Sequence, residues 1–416
     1  MESEISRKVA QIMEREMGSA GASIIERQCE QLGLDKENLR PNDLPRLAGR
    51  LSELMRVMGG HQKANRIYQE IQKLADLERI AELAPTDDSR LALFEDLAKG
   101  SMFSGDWQKA IFYFKKLLHN AEVGKNRSGM AKYLIWIGFV HKEKSSLDQA
   151  MTFYERAMRF AESVGDDDQL SHCHYQMGDV LWYTGELDRA LESYQKALNL
   201  ATSIKFKGAA HVGIGNMLMN KHDFPAATGH YREALKLLEG TDDYLDQARA
   251  YNNIGDVHLQ LKEWDSAVEC FDESAELAEK GGWLNVRAFT QFNTADALVH
   301  KGDYGKAKEM LEKSMEILLL IDSKSGLAGA HHVYAKLFMA LKDYPKVVEH
   351  YKAAIEIYEL AKIPFYRAQC NYELGKAYIE MGDRERAQGH FHEATRIYGE
   401  LNLDTMVKKA MDAAGR

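Results

Sequence analysis

The stretch GDVLWYTGELDRALESYQKA, residues 178–197, contains the pattern that decides the fold. Small residues recur in it at Gly178, Gly185, Ala190 and Ala197, with an aromatic residue at Tyr194. The pattern returns along the chain, and its first alanine is found at Ala110, Ala150, Ala190, Ala227, Ala267, Ala307 and Ala387, with Val347 in the remaining place. Six of the seven intervals have the same length. A fixed period of about forty residues predicts a solenoid, in which stacked helical hairpins bury their apolar faces against one another.

Two sets of glycines recur with the same period. The first set is placed where the two helices of a hairpin meet, so that a side chain would force them apart. Its members are Gly138, Gly178, Gly215, Gly255 and Gly375. The second set is placed where first helices end and a left-handed residue lets the chain turn. Its members are Gly105, Gly185, Gly302 and Gly382, and we interpret both sets as structural.

Composition and charge restrict the class of protein. Of the 416 residues, 45% are hydrophobic and only six are proline, so we expect an all-α protein with few disordered linkers. A chain of this length exceeds one ordinary core, whereas a repeat array grows linearly. The net charge of -9 argues against general nucleic-acid binding, which needs a concentrated positive field.

The sequence shows neither a membrane span nor a targeting segment. The longest apolar run, residues 315–321, is interrupted by Glu316, and the amino terminus is acidic, without a signal-peptide core. The four cysteines are far apart and show no C-x-x-C spacing, which favours reduced, buried thiols over a zinc site or disulfides. We therefore expect a cytoplasmic protein.

Three blocks follow one another along the chain. Residues 1–84 form an amino-terminal helical block with breaks at Gly18–Gly21 and Gly59–Gly60, and its residues 45–77, with Ala64 and Tyr68, permit a degenerate repeat. Residues 89–401 form the array. Residues 402–416 carry an apolar stripe that suits a helix capping the last repeat.

The array resembles the tetratricopeptide repeat family at the positions that define it. Examples are Met177-Gly178-x-x-Leu181 with Ala190 and Tyr194, Ile254-Gly255 with Trp264, Ala267 and Phe271, and Leu374-Gly375-x-x-Tyr378 with Gly382, Ala387 and Phe391. The period exceeds the usual value of about 34, and the closing proline is absent. Both departures resemble the long-period subset found in kinesin light chains, GoLoco-binding adaptors and bacterial peptide-responsive regulators. The resemblance implies a right-handed superhelical solenoid of about eight repeats that binds peptides.

In this family the first helix of each hairpin lines the concave wall, and frame positions two, five, nine and twelve share one face. Position nine is acidic or amide-bearing in the centre of the array and basic at the far end, while positions five and six alternate aromatic and amide groups. Asparagine rows can pair with the backbone of an extended peptide, and aromatic neighbours can receive its side chains. The predicted partner-binding residues are Tyr175, Asp179, Trp182, Asn216, Asn252, Asn253, Asp256, Phe289, Phe292, Asn293, Asp296, Lys336, Tyr372 and Lys376.

No pattern predicts catalysis, and we expect a non-enzyme without metal or cofactor. His172, Cys173 and His174 are consecutive, so on a helix their side chains diverge and lack the spacing of a metal site. Lys336 and Lys376 suggest a carboxylate clamp, but no repeat combines lysine at position five with asparagine at position nine, as chaperone-tail receptors of this family do.

The sequence supports one leading function and leaves two alternatives open. The leading prediction is a protein-interaction scaffold that binds an extended peptide or short helix of a protein partner in its groove, without nucleic acid or membrane insertion. An alternative is a peptide-responsive transcriptional or signalling regulator with the amino-terminal block as effector unit. The other alternative is a self-associating structural subunit, a homo-oligomer whose groove holds its own amino-terminal segment.

Overall fold

The computed structural model describes residues 4–17, 20–40, 43–58, 66–68, 70, 71, 74 and 87–415. These residues contain helices and turns but no strand. The chain forms two compact units, Met1–Phe94 and Glu95–Arg416. The all-α prediction is confirmed.

The first unit contains the helices Glu4–Met17, Ala20–Leu32 and Leu44–Met58. They bury Val9, Met13, Ile25 and Leu47 in a core of their own. The predicted break at residues 18–21 falls partly on residues 18 and 19, which lie outside the described residues, as do Gly59, Gly60 and Ala64. A repeat would bury Tyr68, but this residue is 41% exposed and gives the degenerate repeat no support. The degenerate repeat remains a prediction.

Apart from the start of its first helix, the array of eight helical hairpins lies in the second unit, and we name its helices A and B within repeats 1 to 8. In order, the hairpins are Asp87–Phe103 with Trp107–Val123, Arg127–Glu143 with Leu147–Val164, Asp167–Thr184 with Leu187–Leu200, Ile204–Asn220 with Phe224–Leu238, Tyr244–Leu261 with Trp264–Gly281, Leu284–Lys301 with Tyr304–Leu320, Lys324–Ala340 with Tyr344–Leu360, and Pro364–Glu380 with Arg384–Glu400. Helix 1A crosses the boundary between the two units. A final helix, Asp404–Ala414, packs its Met406 and Val407 with Tyr398 of helix 8B.

The recurring small residues form the contact between the A and B helices. Each recurring alanine is fully buried. A Cβ atom placed on Gly178 would lie 2.7 Å from the Tyr194 ring, and one on Gly375 would lie 2.7 Å from the Phe391 ring. These distances are well below van der Waals contact, so the structural role of these glycines is confirmed. Repeat 6 has Ala295 in the glycine place and Leu311, which is smaller than a ring, opposite it.

The turns between A and B helices use left-handed residues, as predicted. Gly105, Gly185, Gly302 and Gly382 have φ between 74° and 87°. The other four hairpins make the same turn with residues that carry a side chain, namely Ser145, His222, Lys262 and Lys342. The left-handed turn is therefore a property of every repeat, and glycine only makes it visible in the sequence.

Candidate functional site

The A helices of repeats 3 to 8 surround a cavity of about 1080 Å³ inside the second unit. Every residue predicted to form the groove lines this cavity except Tyr372. Tyr372 instead packs beside Phe391, with a ring-centroid distance of 5.7 Å. The ammonium groups of Lys376 and Lys409 lie 5.8 and 5.2 Å from the centre of its ring. Thus the concave face predicted from the frame is a single continuous surface over six repeats.

A ladder of asparagine side chains connects neighbouring A helices along the cavity. Asn253 Nδ2 donates to Asn216 Oδ1 at 2.7 Å, and the Tyr231 hydroxyl donates to the same oxygen at 2.9 Å. One step further, Asn293 Nδ2 donates to Asn252 Oδ1 at 3.1 Å. Within residues 87–415, Asn253 Oδ1 and Asn252 Nδ2 have no hydrogen-bond partner, so one acceptor and one donor are available to a ligand.

The predicted aromatic residues are more buried than a solvated groove would leave them. Phe289 and Phe292 pack together at 5.2 Å, and Phe292 is only 8% exposed. Trp182 packs edge-on against Tyr366 of helix 8A at 6.4 Å. These rings form the apolar walls of the cavity.

A charged cluster occupies the part of the cavity formed by repeats 6 to 8. Lys336 Nζ donates to Asp296 Oδ2 at 2.7 Å. Burial lowers the pKa of Lys336, but the charges of Asp296 and Glu373 outweigh burial and raise this pKa above its usual range. Glu373 Oε2 accepts a 3.0 Å hydrogen bond from the Tyr351 hydroxyl. Burial raises the pKa of Glu373, but Lys336 and His332 more than compensate, and the net pKa is lowered. Lys336 and Glu373 therefore remain charged near neutral pH.

Asp256, in the middle of the array, is different. No hydrogen bond or ion pair from the described residues 87–415 engages its carboxyl group. Burial, reinforced by the nearby Asp296 and opposed by Lys336, raises the pKa of Asp256 to about 7. Its carboxyl group therefore titrates near neutral pH inside the cavity.

Contacts between distant repeats close the amino-terminal end of the groove. Asn285 Nδ2 of helix 6A donates to Glu143 Oε2 of helix 2A at 2.7 Å, and Arg249 Nη1 of helix 5A donates to the Tyr175 hydroxyl of helix 3A at 3.2 Å. The ring of Phe139 meets that of Trp283 at 6.1 Å. The concave face of helix 2A is consequently covered at Phe139 by the chain itself, and only the end of this helix, at Lys142 and Glu143, lines the cavity.

Several residues of this surface, including Arg249 and Lys142, were not predicted from the repeat frame. Lys142 forms a buried ion pair with Asp179 and donates to Gln176 Oε1 at 2.8 Å. Arg249 lies at frame position two and Lys142 at position twelve, on the same helix face as positions five and nine. Reading all four positions would have found both residues, but not the distant repeats that they contact.

Comparison with known proteins agrees with the repeat pattern. The tetratricopeptide repeat profile matches residues 129–203 and 207–280, and the profile of the soluble NSF attachment protein matches residues 259–411. The 43 kDa receptor-associated protein of the synapse from Tetronarce californica is 26% identical in an alignment 304 residues long that covers 61% of this chain and 73% of that protein. The regulatory protein RapG of Bacillus subtilis is 21% identical in an alignment 273 residues long that covers 58% of this chain and 74% of that protein. The Tonsoku-like protein of Bos taurus is 23% identical over 280 residues, but the match spans only 20% of its length.

Two solved structures share the fold over nearly the whole chain. A Rap protein complexed with competence and sporulation factor aligns with a TM-score of 0.56 and 16% identity, over 91% of this chain and 99% of that one. The Rap conjugation gene regulator of the plasmid pLS20, in complex with the Phr* peptide, aligns with a TM-score of 0.54 and 15% identity, over 96% of each chain.

The described residues contain no helix with the length and apolar character that crossing a bilayer requires. The recurring hairpins, the glycine and aromatic contacts inside them and the profile match within residues 129–280 lead to one conclusion: the chain contains tetratricopeptide repeats, with a period longer than usual.

Proposed function

We propose that this protein is a non-catalytic scaffold that binds an extended peptide segment of a protein partner in the cavity of repeats 3 to 8. The asparagine ladder carries this proposal, because Asn253 Oδ1 and Asn252 Nδ2 offer an acceptor and a donor to a peptide backbone. Backbone recognition of this kind is independent of the ligand sequence, so the aromatic walls and the charged cluster would supply the specificity.

The cavity has the size and character of a ligand site. Its volume of about 1080 Å³ slightly exceeds the range of about 300–1000 Å³ typical of small-molecule sites, which suits a short peptide. The surface combines apolar walls with paired charges and the unpaired carboxyl group of Asp256. The Rap proteins of similar fold are complexed with the competence and sporulation factor and with the Phr* peptide, which is consistent with a peptide ligand for this fold.

The test uses a pool of synthetic hexapeptides incubated with the purified full-length protein. Complexes are separated by gel filtration, and the retained peptides are identified by mass spectrometry. The double variant Asn252→Ala with Asn253→Ala should bind the retained peptides about thirtyfold more weakly, because each lost hydrogen bond contributes about 1 kcal/mol.

The matched control carries Asn120→Ala with Asn199→Ala. Both asparagines are exposed on B helices, so the control makes the same chemical change outside the cavity. It should bind the retained peptides like wild type. Retention of no peptide by wild type, or equal retention by all three proteins, would refute the proposal.

The separate core of the first unit favours a second candidate, a peptide-responsive regulator whose amino-terminal unit contacts the effector. In that case, binding of a retained peptide should change hydrogen exchange in residues 4–58 of the intact chain. Exchange that changes only in the array would support the plain scaffold instead.

A further inference from the structure

The first three repeats and the last three repeats of the array touch along a line of turns. The A–B turn of repeat 1, at Gly105, lies against Ile321 in the turn after repeat 6, and the A–B turn of repeat 3, at Gly185, lies against Leu401 after repeat 8. Between these two contacts, Lys362 after repeat 7 forms an ion pair with Asp148 at the start of helix 2B. We call this line of three contacts the seam.

The regular register of the seam follows from the repeat period. The separation along the sequence is the same from Gly105 to Ile321 as from Gly185 to Leu401. Because consecutive turns on each side are one repeat apart, contact at one pair of turns brings the next pair together. The seam is therefore a row of equivalent contacts between turns and not a single chance contact.

Two glycines allow the close approach at the ends of the seam. A Cβ atom on Gly105 would lie 3.1 Å from Ile321 Cα and would clash with its side chain, and one on Gly185 would clash with the Leu401 side chain. The indole nitrogen of Trp107 also donates a hydrogen bond to the carbonyl oxygen of Ile321. Any larger residue at either glycine should push the two sides apart.

The seam is weak compared with the packing inside each hairpin. Its ion pair is highly exposed, with Lys362 and Asp148 side chains 66% and 79% accessible, and such pairs contribute little and are screened by salt. Leu360, beside the central contact, remains 70% exposed, and a small gap separates it from Ser145 and Leu147. The three contacts of the seam join turns. Phe139 with Trp283 and Trp182 with Tyr366 also connect the two sides, so parting them breaks these ring contacts as well, but no contact within a hairpin.

The seam borders the cavity. Repeats 3 and 8, which meet at Gly185 and Leu401, also contribute Trp182 and Tyr366 to its wall. An extended peptide threaded between the A helices would cross this line. A peptide would then enter either by threading from one end or through the parted seam.

We propose that the seam is the gate of the cavity, so that separation of repeats 1–3 from repeats 6–8 controls when a ligand enters and leaves. This inference rests on the proposed function for its biological meaning, but the gate itself can be measured without a ligand.

The first test measures how fast a cavity cysteine reacts. Val299 lines the cavity and is 7% exposed, so Val299→Cys in a Cys270→Ser background reports on access to N-ethylmaleimide. The double variant Gly105→Ala with Gly185→Ala should loosen the seam and speed labelling about tenfold, because a tenfold change in an opening equilibrium corresponds to about 1.4 kcal/mol.

The chain offers a matched control for the glycine variants. Gly302 and Gly382 have the same left-handed turn, with φ of 81° and 80°, but a Cβ atom there meets nothing within 4 Å. Gly302→Ala with Gly382→Ala therefore imposes similar backbone strain without touching the seam. Labelling that is faster in both double variants, or in neither, would overturn the gate.

The second test locks the seam closed. It uses a separate protein that carries Asp148→Cys and Lys362→Cys in the Cys270→Ser background. A short bifunctional thiol reagent joins the two introduced cysteines across the seam. Association and dissociation of a retained hexapeptide should both slow about tenfold relative to the unlinked protein, with the affinity little changed. Unchanged rates would overturn the gate. If no hexapeptide binds wild type, the proposed function fails while the labelling result still decides whether the seam opens.

Discussion

Repeats 2 and 5 are built on the same frame, yet their A helices meet different surroundings. In repeat 2, frame positions five and nine are Ile135 and Phe139, each 1% exposed, and Phe139 packs against Trp283 from the start of helix 6A. In repeat 5 the same positions are Asn252 and Asp256, which line the cavity. The difference teaches that a concave position in a tightly wound array can be core or binding surface, depending on which distant repeat lies opposite.

The largest effect expected from this difference is at Phe139. Phe139→Ala should lower the free energy of unfolding by about 4 kcal/mol, because it removes a buried ring and leaves a cavity. Lys376→Ala, at the same frame position in repeat 8 but exposed, should change this free energy by less than about 0.5 kcal/mol. Urea denaturation followed by circular dichroism measures both. Equal costs would mean that position nine is solvated in both repeats.

The second-largest effect is expected in the hairpin core, which repeats 2 and 5 share. Gly138→Ala and Gly255→Ala should each cost about 2 kcal/mol of unfolding free energy, because the added methyl group meets the rings of Tyr154 and Phe271. The control is Gly389→Ala, an exposed helical glycine with open space around it, which should stabilise the protein by about 0.5–1 kcal/mol. A large difference between the costs at Gly138 and Gly255 would contradict a common hairpin core.

The smallest expected effect is a pH-dependent change in the free energy of unfolding at Asp256. It tests whether this carboxyl group lies unpaired in the cavity. Its folded pKa of about 7 exceeds the unfolded value of about 3.9, so wild type loses stability as pH rises from about 4 through 7. Asp256→Asn abolishes that loss. The variant should match wild type at pH 4 and exceed it by about 1–2 kcal/mol at pH 8 in urea denaturation, a value reduced because the carboxyl group lines a cavity open to solvent.

Asp296→Asn provides the contrasting carboxyl change. It removes the ion-pair partner of Lys336 and should destabilise the protein at pH 8, where Asp256→Asn stabilises it. If both variants changed the free energy of unfolding in the same direction at pH 8, the view that Asp256 is the unpaired member of this pair of neighbouring carboxylates would be wrong.

The local parts of this molecule were predictable because their causes lie within one repeat. Gly178 and Tyr194 belong to the same hairpin, so a single period contains both sides of their contact. The predicted groove face was found in the same way, from the spacing of positions such as Asn252 and Asp256 along one helix. Tyr372 satisfied the same spacing and packs beside Phe391 as Tyr175 packs beside Tyr194. It does not line the cavity, and Lys409 of the final helix lies over its ring, a contact that only the end of the array provides.

The sequence by itself therefore determined the hairpins, their glycine and aromatic contacts, their left-handed turns and the residues of the concave face, since each depends on neighbours within one repeat or the next. Only the tertiary structure decided that the array closes on itself, that Glu143 reaches Asn285 and that Gly105 meets Ile321. Those contacts depend on the small rotation between successive repeats, which accumulates along the array and is set by packing details that no periodic pattern records.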